Sequence, residues 1–187
     1  MEHYHYKVPG WFSFPMLYSN MVSLAADGAH FIEIGSWMGC SASYMGVEIA
    51  NSEKSIKFDC IDEWSDYVKD GLFLKNMPNN PGDFVHNLFL ENTAPVKQYI
   101  NPVKSTSVEA ANLYSDNSLD FVFIDANHVY EAVCIDIATW YPKVKSGGFI
   151  AGHDYKDEPV KHAVNTVIGE NNYLFDLREN CWLHKKA

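Results

Sequence analysis

The strongest constraint on this chain is the run LDFVFI at Leu119–Ile124, where apolar side chains point to both faces of a single strand. Such a strand belongs inside a parallel sheet with helices on either side. Similar runs occur at His30–Ile34 (HFIEI, stopping at Gly35), at 56–61 (IKFDCI, ending at Asp62), at 99–103 and at 149–152. Helical segments separate them. They are 41–51, 83–92 (apolar at Phe84, Val85, Leu88 and Phe89), 107–114, 129–141 (apolar at Val129, Val133, Ile137 and Trp140) and 160–169. Pro142 and the pair Gly147 and Gly148 are expected to close the fourth helical unit, and Asp83 to cap the second. The last two runs, 173–177 and 181–184, flank Arg178, Glu179 and Asn180 and are too close to be joined except as an antiparallel hairpin. The predicted architecture is α/β, a doubly wound, mostly parallel sheet ending in that hairpin, in one domain over residues 1–187.

Composition narrows the function. A net charge of −10 repels phosphate backbones, so neither nucleic acid nor an anionic membrane is an expected partner. No apolar run reaches the roughly 18–20 residues that span a bilayer. The opening MEHYHYKVPGWF has no apolar signal core, so a cytoplasmic protein is expected. Cys40, Cys60, Cys134 and Cys181 are far apart and read as buried, reduced thiols.

In an open α/β sheet, ligands sit at the carboxyl ends of the strands. Chemistry is therefore expected just after Ile34, Ile61, Val103, Ile124 and Ala151. After Ile34, Gly35 and Gly39 join strand to helix, with Ser41, or Cys40 with Ser41, as the helix cap. Such a turn brings a ligand close to backbone and helix N-terminus, though a packing turn fits the two glycines equally well. The spacing is not GxGxxG, so the dinucleotide fingerprint is not met. Asp62 ends the second strand, where a carboxylate takes ribose hydroxyls, and Trp64 could stack on a base; a loop acid and a core tryptophan are the plainer alternative. Thr106 and Ser107 follow the third strand, to meet a base edge or, for Ser107, simply to cap a helix. Asp125 abuts an apolar strand and needs a partner or a purpose. His153 and Asp154 follow the fifth strand. Asp125 and Asp154, with His128 and His153 nearby, can do general-base work or hold a hard divalent cation. One of the two histidines is expected to be an ordinary half-buried side chain.

The stretches EIGSWMGCS, FDCIDEW, LDFVFIDANHVYEAVCID and WYPKVKSGGFIAGHDY together resemble class I S-adenosylmethionine-dependent methyltransferases. The nearest likeness is to the small O-methyltransferase-like group with cephalosporin-hydroxylase-type and macrocin-type enzymes. It spans residues 31–155. IDxxHxYE followed by PKxKxGG and GHDY is specific as a set, whereas ExGxxxG alone is not. The resemblance implies a Rossmann-like methyltransferase fold with a seven-stranded sheet. It implies that Glu33, Gly35, Ser36 and Gly39 cradle the methionine part of the donor. Asp62 would take the ribose diol, Trp64 would lie near the adenine, Thr106 and Ser107 would border the base, and Asp125 would sit beside the sulfonium. In metal-dependent members, acids matching Asp125 and Asp154 bind Mg2+, and the residue matching Tyr155 is often Asn or Asp. Tyrosine is a poor magnesium ligand, so His153 or His128 would have to replace it, and imidazole is a soft choice.

The implied reaction is in-line transfer of a methyl group to the hydroxyl of a small-molecule acceptor, with His153 as first candidate base and Asp125 and Asp154 next. The aromatic N-terminal segment (Tyr4, Tyr6, Trp11, Phe12, Phe14, Tyr18) and residues 65–81 are the candidate lids. They suit a planar or apolar acceptor or a sugar ring, although plain core cover explains most of the rings. The main alternative is a non-catalytic module on the same fold, binding a nucleoside ligand or a partner protein. A nicotinamide oxidoreductase lacks its third glycine here. Metal-dependent hydrolysis at Asp125, His153 and Asp154 would need a denser ligand set. A homodimer through a sheet edge or the N-terminal aromatics is compatible with the sequence, which does not fix it.

Overall fold

A computed structural model describes residues 1–65 and 81–187. The described strands are β1 (His30–Ile34), β2 (Lys57–Asp62), β3 (Asn101–Lys104), β4 (Leu119–Ile124), β5 (Val144–Gly152), β6 (Leu174–Asp176) and β7 (Cys181–Lys185). They form one seven-stranded sheet in the order β3-β2-β1-β4-β5-β7-β6. The first five are parallel, and β7 runs antiparallel to both β5 and β6. The helices are α1 (Pro15–Leu24), α2 (Cys40–Ser52), α3 (Pro81–Thr93), α4 (Ser107–Ala110), α5 (Tyr130–Trp140) and α6 (Glu158–Val167).

The two-residue period of the strands sorts the core into two layers. Phe31, Phe58, Phe121 and Phe123 face one side, under Phe14, Tyr18, Ala42, Met45 and Phe89 of the N-terminal segment, α1, α2 and α3. Ile32, Ile34, Val122, Ile124 and Ile150 face the other, under Val133, Ile137, Trp140, Val160 and Val164 of α5 and α6. Glu33 shares the aromatic face with Phe31 by this period, which decides its fate below.

Several local expectations change. The N-terminal aromatic segment contains a helix, α1, that periodicity alone did not reveal. Pro15 opens it, where a missing N–H costs nothing. Its cap comes from far away: the Glu179 carboxylate accepts from the backbone N–H of Met16 (2.6 Å) and Leu17 (3.0 Å). Phe14 and Tyr18 are core, Tyr4 and Phe12 half-buried, Tyr6 and Trp11 exposed. Gly39, at φ 85°, caps α2 in place of Ser41 or Cys40. Thr106 caps α4 by accepting the Glu109 N–H, in place of Ser107. The helix expected over 107–114 is α4 followed by a 3-10 turn. Gly147 and Gly148 lie within β5 and do not end the preceding helical unit. All four thiols are free; Cys40, Cys60 and Cys181 are buried, and Cys134 is half-buried. Of the second candidate lid, residues 66–80 lie outside the described residues. No described helix is long and apolar enough to cross a membrane.

Candidate active site

The residues that follow β1, β4, β5 and β3 each hydrogen-bond to the end of the neighbouring strand. Gly35 N–H donates to Ile61 O (2.8 Å), Asp125 N–H to Ile34 O (2.8 Å), His153 N–H to Ile124 O (3.1 Å) and Ser105 N–H to Asp62 O (3.0 Å). The backbone thereby sets the candidate residues in one row along the carboxyl edge of the sheet. The row crosses the switch between β1 and β4, where the connections diverge and a ligand crevice opens. Trp37, Trp64 and Asp154 adopt positive φ (41°, 44° and 54°) in this row. Non-glycine residues hold such angles only where their surroundings impose them.

The glycines of the first turn serve packing. A Cβ on Gly35, at φ 90°, would lie 2.1 Å from the backbone oxygen of Asp125, and one on Gly39 would lie 2.6 Å from Thr93 Cγ2. What the turn offers a ligand is polar. Glu33, 1% exposed, accepts the Tyr18 hydroxyl on Oε2 (2.6 Å). Its Oε1 and the Ser36 hydroxyl are buried without a hydrogen-bond partner among the described residues. Burial pushes the Glu33 carboxyl up to about 7, against the lowering effect of the Tyr18 hydroxyl.

The Asp62 carboxylate ties the end of β2 to this turn, accepting Trp37 N–H (2.9 Å) on one oxygen and Trp64 N–H (2.8 Å) on the other. Trp64 is buried against His86, its indole N–H donating to Trp37 O (2.8 Å), so it props the turn from beneath. Ser107 turns toward α5, donating to Asp136 (2.5 Å) and accepting from Trp140 Nε1 (2.9 Å). The row thus brings Glu33, Gly35, Ser36, Gly39, Asp62 and Asp125 together, while Trp64 and Ser107 face the packing around it.

At the other end of the row, the acids and histidines converge. His153 Nδ1 lies 3.2 Å from Asp154 Oδ2 and 3.6 Å from Asp125 Oδ1. His128 Nε2 lies 2.9 Å from the same Asp154 oxygen, and Asn180 Nδ2 donates to Oδ1 (3.2 Å). The far nitrogen of His153 meets Ser13 Oγ at 2.8 Å, and that hydroxyl donates to Glu179 O (2.9 Å). Burial works to lower the His153 pKa, but hydrogen bonds and charge from Asp125 and Asp154 outweigh it and push it up to about 9. Burial works to raise Asp154, and the two imidazoles outweigh it and hold the carboxyl well below its usual range. Asp125 is raised by burial, which its contact with His153 offsets only in part. At neutral pH, His153 is therefore an imidazolium with both nitrogens engaged. A free lone pair for an incoming proton remains on Asp125. A cleft lined by Asp125, Asn127, His128, His153 and Asp154 opens on this cluster.

A family model described as a methyltransferase domain matches residues 32–155, more than half of the chain. The chain belongs to this methyltransferase family. The chain is 28% identical over 155 residues to an uncharacterized protein of Acanthamoeba polyphaga mimivirus, an alignment covering 77% of this chain and 61% of that protein. It thus spans less than two thirds of that relative's length. Among solved structures, the O-methyltransferase NovP matches at TM-score 0.63 with 16% identity, over 92% of this chain and 79% of that one. Fibrillarin from Aeropyrum pernix, solved with natively bound S-adenosyl-L-methionine, matches at TM-score 0.56 with 13% identity, over 90% and 72%. At these identities the likeness is one of fold, that of class I S-adenosylmethionine-dependent methyltransferases.

The polar groups of this edge can be set against the donor that the sequence resemblance implies. Glu33 Oε1 and Ser36 Oγ, the Asp62 carboxylate and the half-buried Asp125 carboxylate suit a ligand with an ammonium, a diol and a sulfonium. Of the positions matching the magnesium ligands of metal-dependent members, Asp125 and Asp154 lie together, while the third departs from the pattern. Tyr155 is buried, its hydroxyl 3.0 Å from that of Tyr173 and its ring stacked on Phe175. Ser13, Tyr18 and Asn180 join the site without any local sequence signal. Ser13 is 140 residues from the histidine it touches.

Proposed function

We propose that this methyltransferase moves the methyl group of S-adenosylmethionine onto the hydroxyl of a small-molecule acceptor. The observation that carries the reading is the pair of buried polar atoms without a partner among the described residues at the end of β1, Glu33 Oε1 and Ser36 Oγ, with Asp125 at the end of the neighbouring strand β4. S-adenosylmethionine supplies an electrophilic methyl on a cationic sulfur. Glu33 and Ser36 hold the methionine end of the donor. Asp62 accepts the ribose hydroxyls, and its hold on Trp37 keeps the turn in register with β2. Asp125 lies where a positive sulfur is favoured and where an acceptor hydroxyl can hand over its proton. As the acceptor oxygen bonds to the methyl carbon and the methyl–sulfur bond breaks to release S-adenosylhomocysteine, Asp125 would take that proton. His153, fixed by Asp154 and Ser13, places a positive charge beside the two carboxylates and fixes their orientation. The exposed Trp11, stacked on Trp37 at 5.1 Å, borders the acceptor side. The four free thiols suit a reducing, cytoplasmic setting.

The test is release of S-adenosylhomocysteine in the presence of a panel of phenols, catechols and sugars. Asp125→Asn is expected to lower turnover by a factor on the order of 10² or more, and to weaken the cationic S-adenosylmethionine while affinity for the uncharged thioether S-adenosylhomocysteine stays within a few fold. Turnover undiminished in Asp125→Asn, or seen only with amine or thiol acceptors, would overturn the reading.

A further inference from the structure

The β1 end of the site contains a hydrogen bond that comes from outside the sheet. Tyr18, on α1, donates its hydroxyl to Glu33 Oε2 at 2.6 Å, the length of a bond to a charged acceptor. The Tyr18 ring cannot swing away. It is fully buried, with the rings of Phe14 (5.0 Å), Phe123 (5.1 Å) and Phe121 (6.2 Å) set edge-on around it. α1 is itself held by Glu179 at its first turn and by Ser19 Oγ against the Tyr44 hydroxyl of α2 (2.8 Å).

The two oxygens of Glu33 are thereby made unequal. Oε2 is satisfied by the chain, whereas Oε1 is buried with no partner among the described residues, as is the Ser36 hydroxyl. Buried polar atoms are normally paired, so a carboxylate filled on one oxygen and empty on the other calls for a donor from a ligand. Against the burial that raises its pKa, the hydroxyls of Tyr18, Ser36 and Ser41 favour the ionised form that a cation needs.

We infer that Tyr18 is a positioning residue for the methionine half of the donor: its hydroxyl occupies Glu33 Oε2 and so leaves Oε1 to the donor's ammonium. This rests on the donor reading proposed above, and it makes α1, which carries none of the strand-end residues, part of donor recognition. Tyr18 acts through Glu33 alone, so its effect is confined to ligands that carry the ammonium.

Calorimetry separates this role from packing. The probes are S-adenosylhomocysteine, which keeps the amino-acid half, and methylthioadenosine, a nucleoside thioether without it. The parent chain is expected to bind S-adenosylhomocysteine more tightly. Tyr18→Phe keeps the ring among its aromatic neighbours and should cost about tenfold or more in S-adenosylhomocysteine affinity, while methylthioadenosine stays within about twofold. In turnover, the same variant should raise the KM for S-adenosylmethionine and leave kcat within about twofold. The loss should vanish in a Glu33→Gln background, where the ammonium has no carboxylate to meet. Ser19→Ala, which removes the bond to Tyr44 without touching Glu33, should move neither ligand. Equal losses for both ligands in Tyr18→Phe, S-adenosylhomocysteine affinity unchanged in it, or a parent chain that binds both ligands alike would each overturn the inference and leave the nucleoside site standing. A parent chain that binds neither ligand would sink the donor reading, and this assignment with it.

Discussion

Glu33 folds best as a neutral acid. Buried beneath Tyr18, its carboxyl titrates near 7, against an ordinary value of 4.5. A group raised on folding contributes stability that is fully present below its unfolded pKa and lost as pH rises through the folded one. Glu33→Gln should therefore remove a fall in stability, on the order of 3 kcal/mol, that the parent chain shows between pH 4.5 and about 7. Denaturant unfolding of both proteins across that range checks this, and parallel pH profiles would contradict it. At this scale, legibility followed locality. Asp125 could be read because an acid directly after FVFI must answer to something. Asp62 could be read from its strand end. Tyr18, Ser13 and Asn180 could not, because the partners that give them meaning are distant in sequence: Glu33 for Tyr18, His153 for Ser13 and Asp154 for Asn180. Trp64 shows the converse. Its position suggested a ligand, but the positive φ that turns it under Trp37 is invisible to pattern.

Among the elements, the turn between β1 and α2 and the start of α1 carry the sharpest consequences. Gly35→Ala forces a Cβ to 2.1 Å from the Asp125 oxygen at a φ that alanine disfavours, so about 3 kcal/mol or more of stability should be lost. Asp125 would be displaced with it, so activity should fall even where folding survives. Thermal unfolding and turnover read together check both, and a variant of parent stability would contradict the packing role. Glu179→Ala removes the acceptor for two helix N–H groups and should cost about 1–2 kcal/mol by chemical denaturation. Faster hydrogen exchange at Met16 and Leu17 should accompany that loss. The strands were legible because burial on both faces leaves continuous apolar runs, and Leu119–Ile124 and His30–Ile34 match their predicted bounds. α1 escaped notice because its cap lies on the β6–β7 turn. β5 was read short because Gly147 and Gly148 look like a break, yet Gly147 N–H still bonds to Lys186 O at 2.8 Å.

At the scale of the whole molecule, the sheet order puts β1 and β4 side by side, with β2 and β5 flanking them, and the candidate polar groups stand at the carboxyl ends of these four strands. Strand–helix alternation made the parallel sheet readable, and the short terminal spacing made the antiparallel edge readable. The acceptor side was not, because acceptor choice resides in covering segments that vary on a constant fold. The central claim is that the carboxyl edge of β1, β2 and β4 holds S-adenosylmethionine. It is tested most directly by calorimetry of S-adenosylmethionine and S-adenosylhomocysteine, with NAD as control, on the parent chain and on Asp62→Ala. Micromolar binding of both sulfur ligands, none of NAD and a loss of about tenfold or more in Asp62→Ala are predicted. Absence of binding by both sulfur ligands, or affinity unchanged in Asp62→Ala, would contradict the account.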